Sequence, residues 1–142
     1  MTTYTAGPKE VVGEPGEVVW ANCLNSLENR NARGKLRPML IIRRVGGQFN
    51  TVGLTTNPRF RSGEARVVVP DPAGLGLRGA GYIWGRRVTS VSVLDVVNHA
   101  GWAHEPLLRA VLESVDLSFG DRAALERYCE VLQKPHARLA TA

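Results

Sequence analysis

The sequence predicts a mainly β protein: a small antiparallel barrel or sheet with two helices appended at its C-terminal end. Three observations carry this. Between residues 17 and 91 the apolar residues come in short runs rich in Val, Ile, Trp and Thr, punctuated by Gly, Pro and Asn. Only beyond residue 105 do they recur at the three- and four-residue spacing of a helix face. A chain of 142 residues, 44% hydrophobic and 22% charged, has material for one sizeable core and not for two, so a single domain over residues 16–135 is expected.

Taken in order, residues 1–15 hold Thr, Gly, Pro and Glu with one apolar pair, Val11-Val12, and read as a flexible N-terminal arm. The fold starts at Gly16, and Glu17-Val18-Val19-Trp20-Ala21 suits a first strand. Residues 22–36 are polar, rich in Asn and Arg, and read as a long exposed loop. Pro38 lacks a donor, so it should open the next strand, Met39 to Arg44, leaving Arg37 at the strand mouth. Gly46-Gly47 makes a turn, and Phe49 to Thr56 returns as the hairpin partner, closed by Asn57-Pro58. Ala65 to Val69 is a further strand stopped by Pro70 and Pro72, and Tyr82 to Val91 is long enough to cross most of a small barrel.

Between these two strands, Gly74, Gly76, Gly79 and Gly81 mark a flexible connector. The cluster lacks the Gly-Lys-Ser/Thr ending of a P-loop and the strand-loop-helix setting of a dinucleotide site. Pro106 suits a first helical position, followed by the stripe Leu108, Val111, Leu112 and Val115. Asp121 is placed to cap a second helix with Leu125, Tyr128, Cys129 and Leu132 on one face and Pro135 as its stop; residues 136–142 are a tail. No apolar run approaches the roughly 18 residues of a membrane helix, and no basic patch precedes an apolar stretch at the N-terminus, so a cytoplasmic protein without membrane contact is expected. Cys23 and Cys129 stand far apart with no paired His/Cys spacing, which points to reduced thiols and no zinc site.

Charge is segregated. Residues 30–87 carry eleven arginines and one lysine against two acids, Glu64 and Asp71, while the rest of the chain has six bases and eleven acids. Such a basic middle implies a polyanionic partner, nucleic acid first, with a merely solubilising basic face as the plain alternative. Fifteen arginines against three lysines add the planar guanidinium that grips a phosphate through two parallel hydrogen bonds.

Four stretches carry a resemblance to a known family. Gly16-Glu17-Val18-Val19-Trp20, Arg37-Pro38-Met39-Leu40-Ile41-Ile42, Val52-Gly53-Leu54-Thr55-Thr56 and Arg87-Val88-Thr89-Ser90-Val91 follow the order and spacing of the MazF/PemK toxin endoribonucleases, over roughly Gly16 to Leu117. The resemblance implies an SH3-like barrel of the CcdB/PemK/MazF type with C-terminal helices, usually a homodimer. It implies the toxin of a type II toxin-antitoxin system, restrained by a cognate antitoxin protein. The activity implied is metal-independent, cofactor-free, sequence-specific cleavage of single-stranded RNA, leaving a 2′,3′-cyclic phosphate and a 5′-hydroxyl.

That reaction sets its own demands. The RNA supplies the 2′-hydroxyl nucleophile, so the enzyme must accept its proton, donate one to the leaving 5′-oxygen and stabilise charge on the phosphorane. Arg37 matches the family's Arg-Pro arginine and is the candidate for charge stabilisation; its plain alternative is an arginine paired with an acid at a strand end. Thr55 matches the catalytic threonine, and Thr56 follows it as a binding candidate. Where some members place an acid and a Gln, this chain has Arg86 and Arg87, and where others carry a glutamate five residues before the Arg-Pro arginine it has Ala32. Glu28, in a longer loop, is the candidate acid or base by substitution.

Arg43, Arg44, Arg86 and Arg87 are candidate RNA-binding residues, since alternation along a strand turns one arginine of each pair outward. The alternatives are charges guarding an edge strand or pairing with the acidic flanks. His99 and His104, flanking the first helix near Trp102, and His136 in the tail match no motif and read as surface or packing residues. Trp20, Trp84 and Trp102 are core residues or base-stacking faces. Two other classes stay open: a non-catalytic CcdB-like gyrase-binding toxin, which needs no Arg-Thr pair, and a single-strand nucleic-acid-binding module, which needs only the basic groove.

Overall fold

The computed structural model describes residues 10–23, 35–55, 67–69, 72–75, 77 and 81–132. Strands β1 (Glu17–Cys23), β2 (Lys35–Val45), β3 (Gln48–Thr55), β4 (Val67–Val69), β5 (Gly81–Ser92) and β6 (Val96–Trp102) precede helices α1 (Glu105–Ser114) and α2 (Phe119–Leu132). The strands make one antiparallel sheet in the order β4-β5-β3-β2-β1-β6, curled into a half-barrel. The mainly β class with C-terminal helices is therefore what the chain adopts.

Both faces of the sheet centre are buried, which explains why β2 runs Met39-Leu40-Ile41-Ile42 without alternating with polar residues. On one face Val18, Leu40, Ile42, Val52, Leu54 and Ile83 meet Leu107, Leu108 and Val111 of α1 and Leu125 and Cys129 of α2. Burial raises the Cys129 thiol above its ordinary value. On the other face Val19, Ala21, Met39, Ile41, Phe49 and Val91 form a second cluster, joined by Val11 and Val96.

Residues 10–16 form no helix or strand, and backbone hydrogen bonds tie them to the sheet; residues 1–9 lie outside the described residues. Val12 N and Gly13 N donate to the Glu17 carboxylate at 3.3 and 2.7 Å. Gly16 bridges elements, its N–H reaching Ile41 O at 2.8 Å and its carbonyl taking Ala103 N at 2.7 Å. Its φ is +93°, and a Cβ there would lie 2.1 Å from the Tyr128 ring, so glycine is the residue that fits.

Three elements differ from the sequence reading. Pro38 lies inside β2, paired with Trp20 of β1, rather than at its start. The β2–β3 ladder begins only at Met39–Gly53, so residues 35–38 have β1 as their paired neighbour and the missing N–H costs no bond to β3. Strand β6 was not anticipated: Asn98, Ala100 and Gly101 have weak strand preference, and the open edge of β1 recruits them. Nor are the glycines before β5 only a connector, since Pro72–Leu75 form a 3-10 turn with Leu75 and Leu77 in the core. A Cβ on Gly101 would come within 2.5 Å of the Gly74 carbonyl oxygen, the closeness at which that turn meets β6.

Candidate active site at one end of the sheet

The Arg37 end of the sheet is built by strand register. Ala21 of β1 pairs with Arg37 of β2, and Thr55 of β3 pairs with Tyr82 of β5, which in turn pairs with Val68 of β4. Between β2 and β3 the last pairs are Ile41–Thr51, Leu40–Val52 and Met39–Gly53. The ladder stops there: Arg37 lies two residues beyond Met39 and Thr55 two residues beyond Gly53, each on the face of that neighbour because alternate residues share a face. Arg37, Thr55 and Tyr82 are each half-buried, and Val68 beside them is 61% exposed. The paired positions at this end are thus Ala21 with Arg37 and, separately, Thr55 with Tyr82 and Tyr82 with Val68.

From this same end leave the two connections 24–34 and 56–66, which join β1 to β2 and β3 to β4. Their sequences carry Arg30, Arg33, Arg59, Arg61 and Arg66 against Glu28 and Glu64. Glu28 and Thr56 belong to these connections and lie outside the described residues, as does His136.

The other arginines sit elsewhere. A bulge between Ile41 and Arg43 shifts the ladder from Ile41–Thr51 to Arg43–Asn50, so that Ile42 and Arg43 both turn towards the helices. Arg43 Nε donates to Asp121 Oδ1 of α2 at 2.7 Å, and Asn50 Nδ2 donates to the same oxygen at 2.9 Å. Strict alternation therefore fails for this pair, and Arg43 takes the paired alternative. Asp121 is not the helix cap expected of it: Ser118 caps α2, its Oγ accepting from Asp121 N at 3.1 Å, and Asp121 sits three residues on with its side chain 5% exposed. Burial alone would push the Asp121 carboxyl up, but hydrogen bonds from Asn50, Arg43 and Ser118 outweigh it and hold the group below its ordinary value.

Arg44 is exposed, donates Nε to Gly46 O at 2.8 Å and lies 5.9 Å over the Phe49 ring. Arg86 and Arg87 fall in a second irregularity: from Thr51–Thr89 to Gly53–Trp84, five residues of β5 advance against two of β3. Arg87 is exposed and its backbone bridges to Asp116, between the helices.

Sequence reasoning missed a carboxylate–imidazole pair. Glu17, 0% exposed on β1, accepts from His99 Nδ1 of β6 at 2.7 Å as well as from Val12 N and Gly13 N. The His99 and Trp102 rings stand 5.7 Å apart at 53°. Glu17 and Ala21 are four residues apart on β1, about 13 Å at strand rise, so this pair anchors the N-terminal segment and stands away from Arg37. Only knowledge of β6 would have found it, because a separation of 82 positions between Glu17 and His99 hides the contact. Among the described residues, no group of three or more His, Cys, Asp or Glu is arranged to hold a metal ion. Nor, among them, is any helix long and apolar enough to cross a membrane. No protein-family model matches this chain, and no curated protein matches it either.

Proposed function

We propose that this chain is an endoribonuclease toxin of the MazF/PemK type, cleaving single-stranded RNA without a metal to 2′,3′-cyclic phosphate and 5′-hydroxyl ends. The observation that supports the reading is that Arg37 and Thr55 each lie two residues beyond Met39–Gly53, the last β2–β3 pair, at a sheet end from which two arginine-rich connections depart. A phosphate lying between β2 and β3 would take two N–H bonds from the Arg37 guanidinium on its non-bridging oxygens and a third from the Thr55 hydroxyl. Charge gathered on those oxygens in the phosphorane strengthens all three bonds, so they favour the transition state over the bound substrate. The 2′-hydroxyl proton goes to a base that we assign to Glu28, in the connection leaving Cys23 at this end; as the 2′-oxygen bonds to phosphorus the P–O5′ bond breaks, and the departing 5′-oxygen takes a proton from water. In this reading the protein is a cytoplasmic homodimer restrained by an antitoxin.

Incubating the purified protein with single-stranded RNA in excess EDTA tests the proposal. Cleavage with cyclic-phosphate ends, lost on Arg37→Ala, is the expected result. Binding without cleavage would replace it with a single-strand-binding module, and gyrase inhibition without either would replace it with a CcdB-like toxin. Loss of cleavage in EDTA, restored by a divalent ion, would refute the metal-free step.

A further inference from the structure

We infer that residues 10–13 are a strap that opens and closes on the sheet face opposite the helices, clasped by the Glu17 carboxylate and kept shut by His99. The inference is independent of the nuclease reading. Exposure alternates along the segment: Glu10, Val12 and Glu14 are exposed, while Val11, Gly13 and Pro15 are half-buried. Val11 packs on the second cluster, and Gly13 lies so near Phe49 that a Cβ there would come within 3.2 Å of the ring. The turn Glu14–Glu17, closed by Glu17 N donating to Glu14 O at 3.2 Å, joins the strap to β1 and serves as its hinge. Beyond the hinge Gly16 is anchored on its own account, by its bonds to Ile41 O and Ala103 N. Among the described residues, the hydrogen bonds that hold the strap itself are those of Val12 N and Gly13 N to Glu17.

The clasp works because a carboxylate shut away from water must have its oxygens bonded. Glu17 Oε1 accepts from Gly13 N at 2.7 Å, and Oε2 accepts from His99 Nδ1 at 2.7 Å and from Val12 N at 3.3 Å. Closure therefore supplies two of three donors, and lifting the strap admits water in their place. Both states satisfy the carboxylate, which is what makes them two states of one fold rather than a folded and an unfolded one. His99 stays on Glu17 in either state, because β6 is paired with β1 at Val19–His99. Its loss bears unequally on the two: the closed carboxylate is left a donor short in a dry setting, whereas the open one finds water. His99 is thus a positioning residue that biases the strap towards closure, and its release would bare Phe49 and wet Glu17 with the sheet intact.

Amide hydrogen exchange on the full chain, followed residue by residue by NMR, tests the strap. In wild type the Val12 and Gly13 amides should be protected, yet exchange faster than those of Gly16 and Ala103 and with little response to low urea, the mark of a local opening. His99→Leu should speed Val12 and Gly13 on the order of 10- to 150-fold, or to the unprotected rate if that comes first, with Gly16 and Ala103 far less affected. His99→Asn, whose amide nitrogen can donate from the place of Nδ1, should restore most of the protection. Glu17→Gln should also speed the two amides, and His99→Leu added to it should do little more, because both act through one carboxylate. Urea midpoints separate a released strap from a lost fold; should His99→Leu fail to fold, the wild-type urea dependence and Glu17→Gln decide. Val12 and Gly13 amides that exchange together with Gly16 and Ala103, at the same rate and urea dependence, would make the segment part of the sheet and overturn the inference. Unprotected amides in wild type, or unchanged exchange in a folded His99→Leu protein, would overturn it as well.

Discussion

Replacing Asp121 by alanine would separate the structural arginine from those available to RNA. Asp121 Oδ1 accepts from Arg43 Nε at 2.7 Å and from Asn50 Nδ2 at 2.9 Å, and the aspartate side chain is only 5% exposed. Hydrogen bonds to a charged group contribute about 1.5–3 kcal/mol each when both partners are buried. The Arg43 side chain, however, is 38% exposed, so water takes over part of its share and that bond belongs nearer the ~1 kcal/mol level of surface pairs. Asp121→Ala should therefore cost about 2–3 kcal/mol, a drop in urea midpoint of about 1 M. Arg43→Ala should cost about 1 kcal/mol, and the double variant less than the two singles together, because both lose the same bond. The carboxyl is held below its unfolded value, so its contribution is complete above that value and is lost as pH falls through the folded one. Denaturation in urea from neutral to acid pH should show this loss in wild type and not in Asp121→Asn. An Asp121→Ala protein with an unchanged midpoint, or single variants that add fully, would refute the network and return Arg43 to the RNA-binding set.

Other outcomes follow from the same geometry. Gly16→Ala forces a Cβ to 2.1 Å from the Tyr128 ring at φ +93°, and should destabilise by about 1–3 kcal/mol in a thermal melt, partly relieved by Tyr128→Ala. Leu40→Ala, at a fully buried position on the helix side of β2, should cost about 2–5 kcal/mol. RNA affinity should fall steeply with salt; Arg59→Ala should reduce the log–log slope by about 0.7 if that arginine meets a phosphate, while Arg43→Ala leaves the slope alone. A flat salt response would remove the nucleic-acid reading. Sedimentation at micromolar concentration should give a dimer, and a monomer would require the RNA path to be drawn on one chain.

The parts of the fold that local chemistry dictates were readable from residues. The Gly46-Gly47 turn, the hairpin it closes and the stripes Leu108-Val111-Val115 and Leu125-Cys129 are set by near neighbours, and they stand where spacing puts them. The parts that depended on partners far along the chain were not. Strand β6 has poor propensity and exists because β1 offers an edge; Asp121 looks like a cap until Arg43, 78 residues away, claims its carboxylate. Bulges are the sharpest case. Nothing in Ile41-Ile42-Arg43-Arg44 announces the extra residue at Ile42, yet that residue decides which arginine meets an acid. At the candidate site the same division holds: a motif pointed to Arg37 and Thr55, whereas the pairing of Thr55 with Tyr82 comes into view only through register.

The basic middle of the chain is consequently not one electrostatic surface. Its excess of ten positive charges over residues 30–87 is parted by the sheet into groups with different surroundings. Arg43 is turned by a bulge to the helix side and matched by Asp121, whose own charge comes from the acidic flank. Arg44 folds back over Phe49 and the Gly46 carbonyl at the opposite end of β2 from Arg37. The Arg37 end holds that half-buried arginine and the half-buried Thr55 at the end of β3, and the sequences of the two connections that start there carry five arginines. A half-buried cation grips one phosphate in a fixed orientation, and charges in connections attract a polyanion without fixing it. A nuclease for a flexible single strand needs both functions, and needs them in different places: capture spread along many phosphates, and one rigid contact where the bond breaks. In the proposed reading the Arg37 end of the sheet would provide the second, and sequence preference would be left to the connecting segments.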